Sequence, residues 1–225
     1  MTRLLMLVEG QSEEAFVKQT LKPWLEQRGV YLQGPILVAT KRLPAGGGFR
    51  GGVVSWGQIR RNLAPLLNDS DAWVTTLLDF YGLPDDVPGV AEHKGHGAAQ
   101  DQVAAVQAAI AGAMGVAPRF LPFLALHEFE AWVFAGPAVV AQHFGSTTAA
   151  AKLTAEIPQP GGPEHINHGP ATHPMARLGK HCPAYKKTSD GPTILAKIGI
   201  DAIRAQCPHF SKWLAQLEAL GEPAK

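Results

Sequence analysis

A short apolar run that breaks off at an acidic residue, then a glycine turn and an amphipathic helix, sets the tightest constraint on this chain. Leu4-Leu5-Met6-Leu7-Val8 is followed at once by Glu9-Gly10. Consecutive apolar residues bounded by a turn signal read as a buried strand. Ser12 is a good N-cap, and Glu13 and Glu14 fall in the first turn, where negative charge suits the helix dipole. The stripe Val17, Leu21, Trp24 and Leu25 carries that helix to about Arg28, and Gly29 stops it. The pattern then recurs. Ile36 to Thr40 reads as a second strand, and Ser55 to Asn68 as a helix kinked or shortened by Pro65. Ala72 to Phe80 reads as a third strand and Ala98 to Met114 as an Ala-rich helix. Phe120 to Leu126 reads as a fourth strand, after which His127-Glu128-Phe129-Glu130-Ala131-Trp132 opens another helix. This alternation predicts an α/β fold: a mostly parallel sheet of four or slightly more strands with helices on both faces.

Beyond Gly145 the texture changes. Gly, Pro and His dominate from Pro158 to Pro183, and helices return at Thr193 to Lys197 and Phe210 to Leu220. Residues 1–145 therefore read as the α/β domain, and 146–225 as an irregular and helical C-terminal appendage packed on it in a single unit. Hydrophobic residues make up 46% of the 225, enough to fill such a core. The formal net charge is only +1, so nucleic acid would be held by a local basic patch or through a partner rather than by bulk charge. Two cysteines, Cys182 and Cys207, imply no disulfide framework. The N-terminal apolar run is too short for a signal-peptide core, and no stretch is long enough to span a bilayer, so the expected compartment is cytoplasmic.

The acids fall where chemistry is done in such folds. Sites in open parallel sheets form at the carboxyl ends of the strands. Glu9 ends the first strand, Asp79 the third, and Glu128 and Glu130 follow the fourth. Glu13 lies four residues before Val17, on the core-facing stripe, and would point at the strand ends beside Glu9. Clustered carboxylates repel one another unless a cation intervenes. Mg²⁺ or Mn²⁺ held by a few carboxylates would orient phosphate and stabilise a leaving oxygen. The competing readings are plainer: helix-dipole decoration for Glu13, Glu14 and Glu128, a turn residue for Asp79, and a locally paired acid for Glu130.

Val8-Glu9-Gly10-Gln11-Ser12-Glu13 resembles the strand–turn–helix signature of Toprim domains, in the Glu-Gly-x-x-Glu form found in overcoming-lysogenization-defect nucleases. Leu77-Leu78-Asp79-Phe80-Tyr81 lies where Toprim domains carry Asp-x-Asp. His127 to Trp132 and Cys207-Pro208-His209-Phe210-Ser211-Lys212-Trp213 look like a bacterial Toprim-like family called domain of unknown function 4276. The resemblance spans nearly the whole chain. It implies a Rossmann-like Toprim fold, a divalent-metal site, Glu9 as general acid or base, and Asp79 as the first aspartate of the pair. It further implies a nuclease acting on DNA or RNA, often encoded beside an ATPase partner in bacterial defence or DNA-maintenance systems. Tyr81 replaces the second aspartate, so that ligand must come from Glu13, Asp85, Asp86, Glu128 or Glu130 if the site is active. A non-catalytic Toprim-like subunit of an ATPase or nucleic-acid complex is the alternative.

Basic residues are the remaining candidates. The loop Lys41 to Gly52 lacks the Gly-Lys-Ser/Thr of a Walker A motif, but Lys41 and Arg50 would suit a phosphate clamp. Arg177 and the run Tyr185-Lys186-Lys187 would fold over the site, with Lys186 touching phosphate, although Lys-Lys runs are usually just exposed. The histidines between His165 and His181, with Cys182, Cys207 and His209, show no paired spacing of the kind zinc takes. Trp73, Trp132 and Trp213 sit in apolar contexts and read as core.

Overall fold

The structure, a computed structural model, describes residues 1–38, 53–115, 118–167 and 169–222. Strand β1 (Thr2–Val8) leads into helix α1 (Gln11–Phe16), a π-helical turn (Val17–Leu21) and α2 (Lys22–Glu26). Then come β2 (Val30–Leu37), α3 (Trp56–Leu67), β3 (Ala72–Asp79), α4 (Val90–His93) and α5 (Ala99–Ala113). Two short strands, β4 (Phe120–Leu121) and β5 (Leu124–Ala125), precede a 3₁₀ segment (Phe129–Ala135). The remainder is helical: α6 (Pro137–His143), α7 (Ala149–Ala155), α8 (Pro174–His181), α9 (Lys187–Ile198), α10 (Ile200–Gln206) and α11 (Pro208–Ala219).

The sheet runs β2-β1-β3-β4, with β5 also on β3, and every described pairing is parallel. The chain leaves β1 toward β2 on one side and returns to β3 on the other, so the strand order reverses between β1 and β3. In open α/β sheets that reversal opens a crevice at the carboxyl ends of the strands. Strand β1 is apolar on both faces because both are covered. Leu4, Met6 and Val8 join one core with Phe16 and Leu21 and with Leu195, Phe210 and Leu214 of α9 and α11. Leu5 and Leu7 join the other, with Ile59 and Leu63 of α3 and Val103 and Val106 of α5. Among the described residues no helix is long and apolar enough to cross a membrane.

Three elements depart from the sequence expectation. The second strand begins at Val30, not at Ile36, and takes Gly34 and Pro35 with it. Proline lacks a donor, and β2 tolerates it at the sheet edge, where the register against β1 slips between Leu5 and Leu7. The expected strand Phe120 to Leu126 is split. Between its halves Phe123 bonds a side chain instead of a strand: its N–H donates to Thr76 Oγ1 at 2.8 Å and its carbonyl accepts from the same hydroxyl at 2.7 Å. The expected helix Thr193 to Lys197 starts six residues earlier, at Lys187, with Gly191 and Pro192 inside it. An ideal Cβ at Gly191 would lie 2.7 Å from the Tyr185 hydroxyl, so glycine is what lets that ring pack against the helix.

The C-terminal helices are tied to the sheet by specific contacts. The Trp213 indole N–H donates to Thr75 Oγ1 of β3 at 3.0 Å, and its ring stacks on Phe123 at 4.1 Å. Glu164, 1% exposed, accepts from the N–H groups of His209 and Phe210 at 2.7 and 3.0 Å. It thereby satisfies orphan donors at the start of α11 and places negative charge at that helix N-terminus. Glu164→Ala would leave both donors unpaired, a loss of about 2–4 kcal/mol, whereas Glu164→Gln keeps one acceptor and loses less. Urea denaturation of wild type and the two variants checks this, and variant midpoints equal to that of wild type would show that the cap contributes nothing.

Candidate metal and phosphoryl-transfer site

Four carboxylates meet at the β1–β3 crevice. Glu9 follows β1 directly, and its Oε2 accepts from the backbone N–H of Asp79 at 2.9 Å. Asp79 ends β3, and its Oδ1 accepts from the N–H of Phe129 at 2.8 Å. Glu13 projects from the first turn of α1, buried at that end of the sheet. An ideal Cβ on Gly10 would stand 3.1 Å from Glu13 Oε2, so the glycine of Glu-Gly-x-x-Glu is what gives this carboxylate room. Glu130 comes from the 3₁₀ segment and is 0% exposed. Its approach depends on His127, the one described non-glycine residue with positive φ, at 67°. That left-handed turn is sparsely populated by side-chain-bearing residues, and here it swings the chain from β5 back toward β3.

The centre of the group is a lysine. Lys187 Nζ lies 3.1 Å from Glu130 Oε2, 3.2 Å from Asp79 Oδ2 and 3.8 Å from Glu13 Oε1. Its side chain is 36% exposed, so the stem reaches solvent while the ammonium sits among the acids. Burial alone lowers its pKa, but Asp79, Glu130 and Glu13 together hold it well above the ordinary lysine value.

One ammonium does not balance four carboxylates. Burial, then Asp79, pushes the Glu9 carboxyl up to about 8. Burial, then Asp79, pushes Glu13 up to about 7 against the pull of Lys187. Burial raises Glu130 to about 8, with Lys187 opposing and Asp79 adding to the rise. Glu13 Oε1 and Glu130 Oε1 are buried without a hydrogen bond. Buried carboxylate oxygens without donors are costly, and the single ammonium of Lys187 leaves these two uncompensated. Among the described residues no three Asp, Glu, His or Cys side chains are already spaced to share an ion; the acids stand around Lys187 instead.

The other sequence candidates fall as follows. Glu128 is committed to α8: its Oε2 accepts from Met175 N–H at 2.9 Å, and its Oε1 lies 2.9 Å from His173 Nδ1. Tyr81, at the position of the second aspartate, stacks on the His173 ring at 5.7 Å. Lys94 Nζ donates to the carbonyls of Tyr81 and Leu83 and so holds the loop that follows Asp79. Arg177 is engaged away from the acids, with Glu156 Oε2 at 2.6 Å and the Thr172 carbonyl. Lys186 is exposed, its N–H bonded to Asp190 Oδ2. Lys41 and Arg50 lie outside the described residues. The residue that sequence reasoning passed over is Lys187, whose neighbour Lys186 was the expected contact. The only signal was its place in Tyr185-Lys186-Lys187, because its partners are remote in sequence. Among the described residues histidine and cysteine do not gather: His181 pairs with Glu156, His209 with the Leu124 carbonyl, and Cys182 and Cys207 are buried.

The family model described as "Domain of unknown function (DUF4276)" matches residues 8–218. The chain is similar to a solved structure, the C-terminal region of the Burkholderia pseudomallei OLD protein. The two are 15% identical over 99% of this chain and 100% of that one, with a TM-score of 0.45. No curated protein matches the chain.

The raised carboxyls make a pH prediction. Their folded values, about 7 to 8, exceed the ordinary 4.5, so the folded protein holds protons that the unfolded chain has released. From these groups, stability is fully present below the unfolded value and is lost as pH rises through the folded ones. In chelator, the guanidinium midpoint is expected to decline from about pH 5.5 to about pH 8.5, and Glu130→Gln to decline less steeply. A midpoint rising across that window would show that these acids are ionised and already compensated.

Proposed function

The chain belongs to the family described as Domain of unknown function (DUF4276), and for it we propose a Toprim-type phosphodiesterase that uses Mg²⁺ or Mn²⁺ to cut DNA or RNA. One observation carries this reading. Acids from β1, α1, β3 and the 3₁₀ segment converge at the sheet's switch point, and buried oxygens on two of them lack partners. The Glu-Gly-x-x-Glu sequence at Glu9 to Glu13 supports the same assignment.

Glu13, Asp79 and Glu130 would hold the ion, with Glu9 beside them and Glu128 behind His173. When bound, a divalent cation supplies positive charge that orients a phosphodiester and stabilises the charge developing on its oxygens. Glu130 takes the part of the missing second aspartate, since its carboxylate and that of Asp79 face the same ammonium. Glu9 suits proton transfer near neutral pH: its carboxyl titrates at about 8, and its Oε2 is fixed by the Asp79 N–H. Phe129 N–H holds Asp79 Oδ1 and leaves Oδ2 facing the centre. Lys186, exposed one residue before Lys187, is the described lysine free to meet a backbone phosphate, with Lys41 and Arg50 as further candidates. Arg177 would have to leave Glu156 to do so. A net charge of +1 makes an ATPase partner, or another nucleic-acid-binding partner, the natural source of additional affinity. Such work belongs in the cytoplasm.

A second reading has its own observation. With Lys187 in the middle of the acids and Tyr81 stacked on His173, the site is also that of a non-catalytic Toprim-like subunit bound to an ATPase or nucleic acid.

Asp79→Asn separates the two. The asparagine carbonyl can still accept from Phe129 N–H, so the fold is expected to survive, while cleavage with Mn²⁺ falls by about 100-fold or more. Lys186→Ala is expected mainly to raise KM. Cleavage of a DNA and RNA panel, with a melting curve for each variant, is the measurement. Undiminished cleavage by folded Asp79→Asn would place the chemistry elsewhere. An inert wild type, even with its partner present, would favour the subunit reading.

A further inference from the structure

We propose that Lys187 is the resident cation of this site: its ammonium gathers Glu13, Asp79 and Glu130 in the metal-free protein and yields that position when a divalent cation binds. The inference rests on the metal-dependent reading above and adds to it a positioning residue that the reading does not require.

Local structure gives no reason for a lysine here. Lys187 is the first residue of α9, where the helix dipole disfavours positive charge. Its orientation is explained by the acids: Nζ is 3.1 and 3.2 Å from Glu130 and Asp79, and 3.8 Å from Glu13. The last distance is too long for a hydrogen bond. The ammonium has three donors and one charge, and it faces acids with buried oxygens that remain unpaired. A divalent ion brings twice the charge and takes about six oxygens, so with Lys187 withdrawn it would draw in the oxygens that one ammonium leaves unpaired.

The lysine can also leave. Its side chain is 36% exposed, and a four-carbon stem can swing the ammonium to solvent without moving α9. Tyr185 and Gly191 keep the helix itself packed, since the Tyr185 ring fills the space that a Cβ at Gly191 would take. Lys187 is therefore a removable counter-charge on a fixed support. Its departure would place a cation at the rim of the site, where an incoming phosphate passes.

The experiment uses the full chain, stripped with chelator and titrated calorimetrically with Mn²⁺, together with melting curves in chelator and in Mn²⁺. Wild type is expected to bind weakly. Lys187→Gln and Lys187→Met are expected to bind Mn²⁺ about tenfold more tightly or better, because no ammonium competes for the acids. Both are expected to melt lower than wild type in chelator and to gain more on adding Mn²⁺. Lys187→Arg restores the charge and is expected to return affinity toward wild type. Lys180→Gln removes a charge whose partner is Glu156 and is expected to leave affinity unchanged. If wild type binds Mn²⁺ but both neutral variants bind it equally or more weakly, the displacement role is overturned while the metal reading stands. If none of the proteins binds Mn²⁺, both fall. Neutral variants unfolded in chelator but folded in Mn²⁺ support the proposal; variants unfolded in both conditions overturn it.

Discussion

Everything at the working edge of this protein depends on the balance between several buried acids and one ammonium. An ionised carboxylate out of water is expensive unless paired, and removing the partner of a buried pair is more damaging than never having had the pair. Here Asp79 and Glu130 each lie close to Lys187 Nζ, Glu13 stands farther off, and Glu9 is held instead by the Asp79 N–H. The upward shift of Glu9, Glu13 and Glu130 measures what that pairing leaves undone. A fold selected for stability alone would replace such a group with apolar side chains of similar volume. The group sits beside the strand-order reversal between β1 and β3, where acids from four separate elements converge.

The C-terminal segment enters this balance because it supplies the ammonium. Lys187 lies 108 residues from Asp79, on a helix that packs mainly against α1. The helices that follow are anchored to the sheet through Trp213 on Thr75, the Phe123–Trp213 stack and Glu164 at the start of α11. Glu130 arrives from the opposite direction, through the left-handed turn at His127 and the bond from Phe129 N–H to Asp79. The acids belong to the first part of the chain and their counter-charge to the last. Packing between the two is therefore what fixes the electrostatics of the crevice.

How much of this was legible in the sequence follows from the range of each interaction. The strand–helix alternation is local and could be read, as could Gly29 ending the first helix. That Glu9 and Asp79 would lie together could be read because an acid at the end of an apolar run is a local pattern with a topological meaning. The inward placement of Glu13 could be read because it shares a helix stripe with Val17. Failures came where a distant partner decided the outcome. Phe120 to Leu126 looks like one strand until the Thr76 hydroxyl takes both backbone groups of Phe123. Gly34 and Pro35 look like a break until the strand proves to be at an edge. Gly191 and Pro192 argue against a helix until Tyr185 fills the gap. Arg177 looked available until Glu156 was seen beside it. Lys186 and Lys187 are indistinguishable as a dipeptide, and only the packing of α9 decides which of them turns inward.

Under the proposed reading, the tyrosine at position 81 does not by itself decide activity. In an Asp-x-Asp arrangement the second acid would lie two residues past Asp79, in the loop that Lys94 now holds by two carbonyls. Tyr81 there packs on His173, whose Nδ1 is in turn fixed by Glu128. Glu130 reaches the Lys187 ammonium from the 3₁₀ segment, on the side of Asp79. A metal site reads charge and oxygen position, not the strand that supplies them. Under the proposed reading, the acid that completes the set is a residue with no exposed surface. In that setting the carboxylate is harder to ionise alone and more dependent on a cation, which ties the state of the site more closely to what occupies it.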